Sequence, residues 1–234
     1  MRERRQILVQ QAVTRGLNPD APMKDSGIDW IGEIPAHWEV KRLKHIASIR
    51  YGLGQPPKEV DSGLPLLRAT NVERGKINPA NMLYVDEKTV PKGRNAFLKP
   101  GEIIVVRSGA YTGDSAIVTK EYQGAIAGYD MVVSANSIEA DYLAFSLLSP
   151  FVLHEQIFLL RMRAAQPHLN REELGETLVL QPTTDEQREI VAYARSINRK
   201  IDKTILIKQD QITALKEYKT SLINSAVTGK IKVI

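Results

Sequence analysis

Thr184-Asp185-Glu186-Gln187 opens a stretch in which Ile190, Ala194, Ile197, Ile201, Ile205, Lys208, Ile212, Leu215, Lys219, Leu222 and Ala226 recur at steps of three and four, with no Gly or Pro before Gly229. That period belongs to one face of an α-helix. Thr or Asp caps its first turn, where the acids also suit the helix dipole. Nine of the eleven positions are apolar. A helix of about 44 residues is roughly 65 Å long, too long to lie against a core of this size, so much of it must pair with another helix. Ile197, Ile201, Ile205, Ile212, Leu215 and Leu222 are the expected dimerisation positions. The two successive steps of four through Ile201 form a stutter, which weakens a strict coiled coil but not helix pairing. The alternative is a bent helix folded back on its own domain.

Upstream the pattern changes. Between about residues 40 and 135, short apolar runs alternate with turn signals, predicting strands at Leu64–Arg68, Met82–Val85, Glu102–Arg107, Ser115–Val118 and Asp130–Val133. Residues 139–161 turn helical through Tyr142, Leu143, Phe145, Leu147, Leu148, Phe151, Ile157 and Leu160. The fold class is therefore α+β: one domain of mixed short strands and helices, followed by a long C-terminal helix that pairs as a coiled coil. The expected divisions are a helix tail (1–17), an irregular connector (18–40), the domain (41–183) and the long helix (184–234). Trp30, Trp38 and Tyr129 are expected in the core.

Composition narrows the function. The chain of 234 residues lacks cysteine, which excludes disulfides, thiolate zinc sites and cysteine nucleophiles and fits a cytoplasmic protein. No apolar run approaches a membrane span, and the charged N-terminus lacks the apolar region of a secretory signal. Net charge is +5 with a pI near 9.3. Residues 41–107 carry 13 Lys/Arg against 6 Asp/Glu, whereas 108–155 carry Lys120 against 6 acids. This split predicts a polarised surface suited to a polyanion.

The two ends of the chain match each other. Glu3-Arg-Arg-Gln-Ile-Leu-Val-Gln-Gln-Ala-Val-Thr14 aligns without gaps on Glu217-Tyr-Lys-Thr-Ser-Leu-Ile-Asn-Ser-Ala-Val-Thr228. Glu, Leu, Ala, Val and Thr are identical, and a Gly follows within two residues. The repeat describes a unit of domain then helix, present once in full and preceded by the tail of another. The chain also holds Trp30-Ile-Gly-Glu-Ile-Pro-Ala-His-Trp-Glu-Val-Lys-Arg-Leu43, Leu64-Pro-Leu-Leu-Arg-Ala-Thr-Asn71 and Gly101-Glu-Ile-Ile-Val-Val-Arg-Ser-Gly109. Further on come Gln166-Pro-His-Leu-Asn170 and Leu215-Lys-Glu-Tyr-Lys-Thr-Ser-Leu-Ile-Asn-Ser-Ala-Val-Thr-Gly-Lys-Ile231. With these phrases in this order, the chain resembles the specificity (S) subunits of type I restriction–modification enzymes, in a half-length form with one target-recognition domain.

The resemblance implies a non-catalytic, sequence-specific reader of double-stranded DNA that acts as a homodimer or beside another half. It implies partner methyltransferase (M) and restriction (R) subunits. No cofactor would be bound directly, S-adenosylmethionine and ATP/Mg residing on those partners. Within the chain the four His are scattered, no phosphate-binding Gly-rich loop occurs, and Asn78-Pro79-Ala80-Asn81 reads as a plain turn. The DNA-binding candidates are Arg68 and Arg107 at strand ends, with Thr70, Asn71 and Ser108 beside them, then Lys92, Arg94 and Tyr111 in polar loops. Arginine to guanine and asparagine to adenine are the usual pairings. Gln166 and His168 either contact DNA or cap the fold. A free-standing DNA-binding regulator that dimerises through its helix, and a scaffold that binds no DNA, are the other classes the residues allow.

Overall fold

The computed structural model describes residues 2–91, 93, 95–161 and 167–231. Helix α1 (Arg2–Arg15) leads into β1 (Met23–Asp25), β2 (Glu33–Pro35), β3 (Glu39–Arg42), the one-turn α2 (Leu43–Ile46) and β4 (Ala47–Tyr51). There follow β5 (Glu59–Val60), β6 (Leu64–Leu67), β7 (Val72–Glu73), β8 (Lys76–Ile77) and β9 (Leu83–Val85), then β10 (Ile103–Val105), β11 (Ser115–Ile117), β12 (Ile126–Ala127) and β13 (Met131–Ala135). Short helical segments α3 (Ala140–Leu147), α4 (Pro150–Val152), α5 (Phe158–Arg161) and α6 (Arg171–Glu176) precede β14 (Leu178–Gln181) and the long α7 (Thr184–Val227). The fold is α+β, as the pattern predicts, and each of the five expected strands is present.

Two four-stranded sheets organise the domain. One runs β11-β10-β13-β4, all antiparallel; the other runs β12-β6-β9-β5, with β12 parallel to β6. Strand β10 explains its own unbroken apolar run. Ile103 and Val105 face a core shared with the helices, and Ile104 and Val106 face a second core shared with Leu67 and Ala127. A strand buried on both faces has no polar alternation. The segment expected as irregular connector is more ordered than that: β1 and β2 pair within it, and β3 pairs with β14. Trp38 is fully buried there, but Trp30 is 47% exposed and stacks on Phe151 at 5.3 Å. Trp30 is therefore a surface residue, a correction to its expected place in the core.

Helix α7 begins with a reciprocal cap. Thr183 accepts from the Glu186 N–H at 3.4 Å, and Glu186 accepts from the Thr183 N–H at 3.2 Å. The cap residue is thus Thr183, one position before the expected start. Burial alone would raise the Glu186 carboxyl, but hydrogen bonds from His37, Thr183 and Trp38 outweigh it and hold the group below the usual range. Ile190 and Val191 pack into the core with Ala12 and Val13 of α1, and Ala194 is buried. Arg5 pairs with Asp202 farther along α7, while Gly16, just past α1, lies against Trp38 near the cap. Helix α1 therefore runs antiparallel to the first half of α7. From 206 to 224 every residue of α7 is exposed, a projection of roughly 28 Å. Among the described residues no single helix is long and apolar enough to cross a membrane.

Trp38 joins β3, α1 and the α7 cap, whereas Trp30 lies on the surface. Trp38→Ala is expected to lower stability by about 3–5 kcal/mol, and Trp30→Ala by less than about 1.5 kcal/mol, read from urea denaturation of the two variants. Equal losses would contradict the assignment.

Candidate nucleic-acid interface

Four chain segments meet at one end of the two sheets. The ends of β4 (Tyr51), β6 (Leu67) and β10 (Val105) converge on Ala127–Asp130, which joins β12 to β13. Backbone hydrogen bonds fasten them: Leu53 N–H to the Ala127 carbonyl at 3.0 Å, Gly52 to Asp130 at 2.9 Å and Gly128 to Leu67 at 2.9 Å. A Cβ on Gly52 would come within 2.1 Å of the Gly128 oxygen, so only glycine permits this approach. The buried Asp130 carboxylate lies at the junction. It accepts from the N–H of Arg107 at 3.2 Å, and the backbone N–H of Ala69 also favours its charged form. Burial pushes its pKa up to about 6 against the lowering effect of these bonds and of the Arg107 charge. The carboxylate thus ties the Arg107 strand end to this junction.

Arg107 occupies an unusual setting. Its guanidinium carbon lies 4.4 Å from the ring centroids of both Tyr51 and Tyr129, within cation–π range on each. Its Nη2 lies 2.9 Å from His168 Nε2. A guanidinium only donates, so Nε2 accepts and the imidazole proton sits on Nδ1. Backbone bonds from Leu169 N–H to the Arg107 carbonyl at 2.8 Å, and from Gly109 N–H to Pro167 at 3.2 Å, align the two segments. The Tyr51 hydroxyl accepts from the Arg171 N–H at 2.9 Å. Ser108 is half-buried beside this cluster, and Tyr111 is 58% exposed in the adjoining turn.

Arg68 is held differently. Its Nη2 donates to the Asn81 carbonyl at 3.0 Å. Asn71, expected as a base reader, is fully buried; its side-chain oxygen accepts from the Arg68 N–H, and its amide donates to the Asn78 and Ala80 carbonyls at 3.1 and 3.2 Å. It shapes the 68–81 loop and does not reach a ligand, which corrects that expectation. Thr70 beside it is exposed. Asn78 accepts from the Ala80 N–H at 2.9 Å, the turn that the Asn-Pro-Ala-Asn sequence suggests. Lys92, Arg94 and Gln166 lie outside the described residues.

Some other cations have structural partners. Arg50 grips Glu102 with two bonds of 2.7 and 2.8 Å, and Arg42 and Lys44 both pair with Glu176. Among the described residues neither Arg68 nor Arg107 has an acidic partner within 4 Å. Four of the six acids of 108–155 are paired or buried. Glu139 and Asp141 pair with Arg188 and Arg195 on α7, Asp130 is buried, and Asp114 lies 3.8 Å from Arg74. The described residues hold no group of three His, Cys, Asp or Glu able to bind a metal.

Sequence reasoning missed Tyr51 altogether and placed Tyr129, which is 49% exposed, in the core. The only signal for Tyr129 is its position in Gly128-Tyr129-Asp130, between a glycine and a buried acid.

The model for the type I restriction modification DNA specificity domain matches residues 35–217. The chain belongs to this family. It is 26% identical over 233 residues to the specificity subunit of the MjaVIII type I restriction enzyme of Methanocaldococcus jannaschii, an alignment covering 97% of this chain and 53% of that one. With the EcoKI specificity subunit of Escherichia coli strain K12 the identity is 21% over 192 residues, covering 75% and 41%. The fold resembles the HsdS subunit from Thermoanaerobacter tengcongensis (TM-score 0.61, 16% identity, 98% of this chain and 51% of that chain). It also resembles a chain in a solved type I restriction–modification system (TM-score 0.68, 18% identity, 96% and 52%). The chain spans about half the length of the relatives it matches.

The raised pKa of Asp130 has a consequence for stability. Its folded value of about 6 exceeds the ordinary 3.8, so the folded state binds the proton more tightly. Stability from this group is full below about pH 4 and is lost as pH rises through about 6, a deficit of about 3 kcal/mol at neutral pH. Asp130→Asn is expected to remove the dependence. The stability of the variant relative to the natural chain should rise between pH 4 and 7 in urea unfolding, and a flat difference would contradict this account.

Proposed function

We propose that this chain is the DNA-reading, non-catalytic part of a type I restriction–modification enzyme, recognising one half of a bipartite target in duplex DNA. The observation that carries the reading is the pair Arg68 and Arg107. Both lack an acidic partner among the described residues, and both follow strands whose ends meet at the Asp130 junction, in a member of the DNA specificity domain family. Guanidinium groups in this state are suited to phosphates and base edges. Thr70, Ser108 and Tyr111 border the same end, and Lys92 and Arg94 remain candidates by sequence.

The projecting part of α7 sets the distance to a second recognition domain. A second copy supplies it, the exposed Ile212, Leu215 and Leu222 pairing with the same helix run antiparallel. Helix α1 supports this, since residues matching Glu217–Thr228 already lie antiparallel on α7 within the chain. A two-fold pair of this kind reads an interrupted palindrome. Methyltransferase subunits carrying S-adenosylmethionine bind around the helices, and a restriction subunit using ATP and Mg joins them, in the cytoplasm. Ile197, Ile201 and Ile205 are half-buried on the stretch of α7 that lies along α1, and they continue the same apolar stripe toward the pairing positions.

Two measurements test this. Co-expression with the cognate methyltransferase subunit in a methylation-free host, followed by long-read sequencing, is expected to show adenine methylation at a split palindrome. A split asymmetric motif would replace the second copy by a different partner domain, and no new methylation with both proteins folded would favour a free-standing DNA-binding regulator. Separately, the double variant Ile212→Asp and Leu215→Asp is expected to sediment as a monomer where the natural chain sediments as a dimer. Unchanged mass would remove α7 as the dimer contact.

A further inference from the structure

Among the described residues, Arg107 is the arginine with cation–π contacts to two rings. Its guanidinium carbon lies 4.4 Å from the centroids of Tyr51 and Tyr129, and both tyrosines are themselves partly open to solvent, at 37% and 49% exposure. The rings hold the group, and its hydrogens carry any contact to a ligand. Of its five hydrogens, the one on Nε is enclosed without a partner among the described residues, and one on Nη2 points at His168. Three remain on the two terminal nitrogens, an end-on planar fork whose direction is fixed by stacking and by His168.

Resting on the reading that the chain binds duplex DNA, we infer that Arg107 reads one guanine of the target, donating from its terminal nitrogens to O6 and N7, with Tyr51, Tyr129 and His168 as positioning residues. Guanine presents two adjacent acceptors on its major-groove edge. Adenine sets an amino donor against one arm of the fork, and thymine and cytosine offer no such pair. A planar fork held in one orientation is adapted to a base edge. A phosphate presents oxygens in several directions and is met equally well by a mobile side chain. The local charge agrees: the Asp130 carboxylate, bonded to the Arg107 backbone N–H, partly offsets the guanidinium and weakens the site as a phosphate attractor. Holding the side chain before DNA arrives removes the ordering loss that a long flexible side chain would otherwise suffer on binding.

The test uses the chain in complex with its methyltransferase subunit and a library of duplexes in which each position of the recognised sequence is varied. The natural protein is expected to prefer guanine at one position by about 10- to 100-fold. Arg107→Gln should abolish the preference at that position alone and leave the slope of log K against log salt close to its natural value. Tyr129→Leu should relax the same position, while Tyr129→Phe, which keeps the stacking ring, should retain it. A purely structural role for Tyr129 would instead weaken binding evenly over all sequences. The proposal is overturned if Arg107→Gln weakens every duplex equally and the slope falls by about one, the mark of a phosphate contact. It is also overturned if no guanine preference changes. A natural complex that binds no duplex would defeat the DNA-reading function itself, an outcome visible before any variant is made.

Discussion

The Asp130 carboxylate is the constraint on which the interface depends. It is 3% exposed and accepts a backbone hydrogen bond from Arg107, which follows β10, while the N–H of Ala69, which follows β6 of the other sheet, also favours its charged form. Without this acceptor the Arg107 N–H would be unpaired and the junction would lose a polar tie. Burying a carboxylate opposes folding near neutral pH, as its raised pKa records. The gain is placement: the Arg107 strand end is tied to the junction, and Tyr129 stands next to the carboxylate in sequence. Strain or destabilisation concentrated at a binding face is a common compromise between stability and function.

The helices work by a separate principle. One apolar stripe along α7 meets two environments. Its first half is covered by α1 and the domain core, and its second half projects without cover among the described residues. Because α1 repeats the residues of the α7 end, the intrachain contact shows the kind of helix that this stripe accepts. In the proposed reading, this projection from a capped, core-anchored start makes the helix a spacer. Thr183, Glu186 and Trp38 fix its origin, and its length fixes the reach.

Much of this was legible in the residues. The three-four period of α7, the double-sided apolar run of β10 and the turn at Asn78–Asn81 each follow from local chemistry. The family resemblance rests on phrases that lie close to these features. The pairing of short strands with distant partners was not legible. Pairing of β3 with β14 joins residues 39–42 to 178–181, and β4 carries Arg50 across the sheet because Glu102 and Ser134 satisfy it there. Asn71 was misread because an amide that closes a turn and an amide that reads adenine look alike in sequence. The cluster at Arg107 was hidden for a topological reason: Tyr51, Arg107, Tyr129 and His168 come from four separate segments, and only the folded sheets bring them together.

The central claim is that duplex DNA meets the Arg107 end of the sheets. Replacing Tyr111 by a photo-crosslinking phenylalanine analogue tests it directly, with the same replacement at Glu121 as control. Glu121 is exposed and lies beyond β11 near the start of β10, away from Arg107. With the methyltransferase complex bound to a target duplex, irradiation is expected to attach DNA at position 111 and not at 121. Attachment at 121 alone, or none at 111 while the duplex remains bound, would contradict the account.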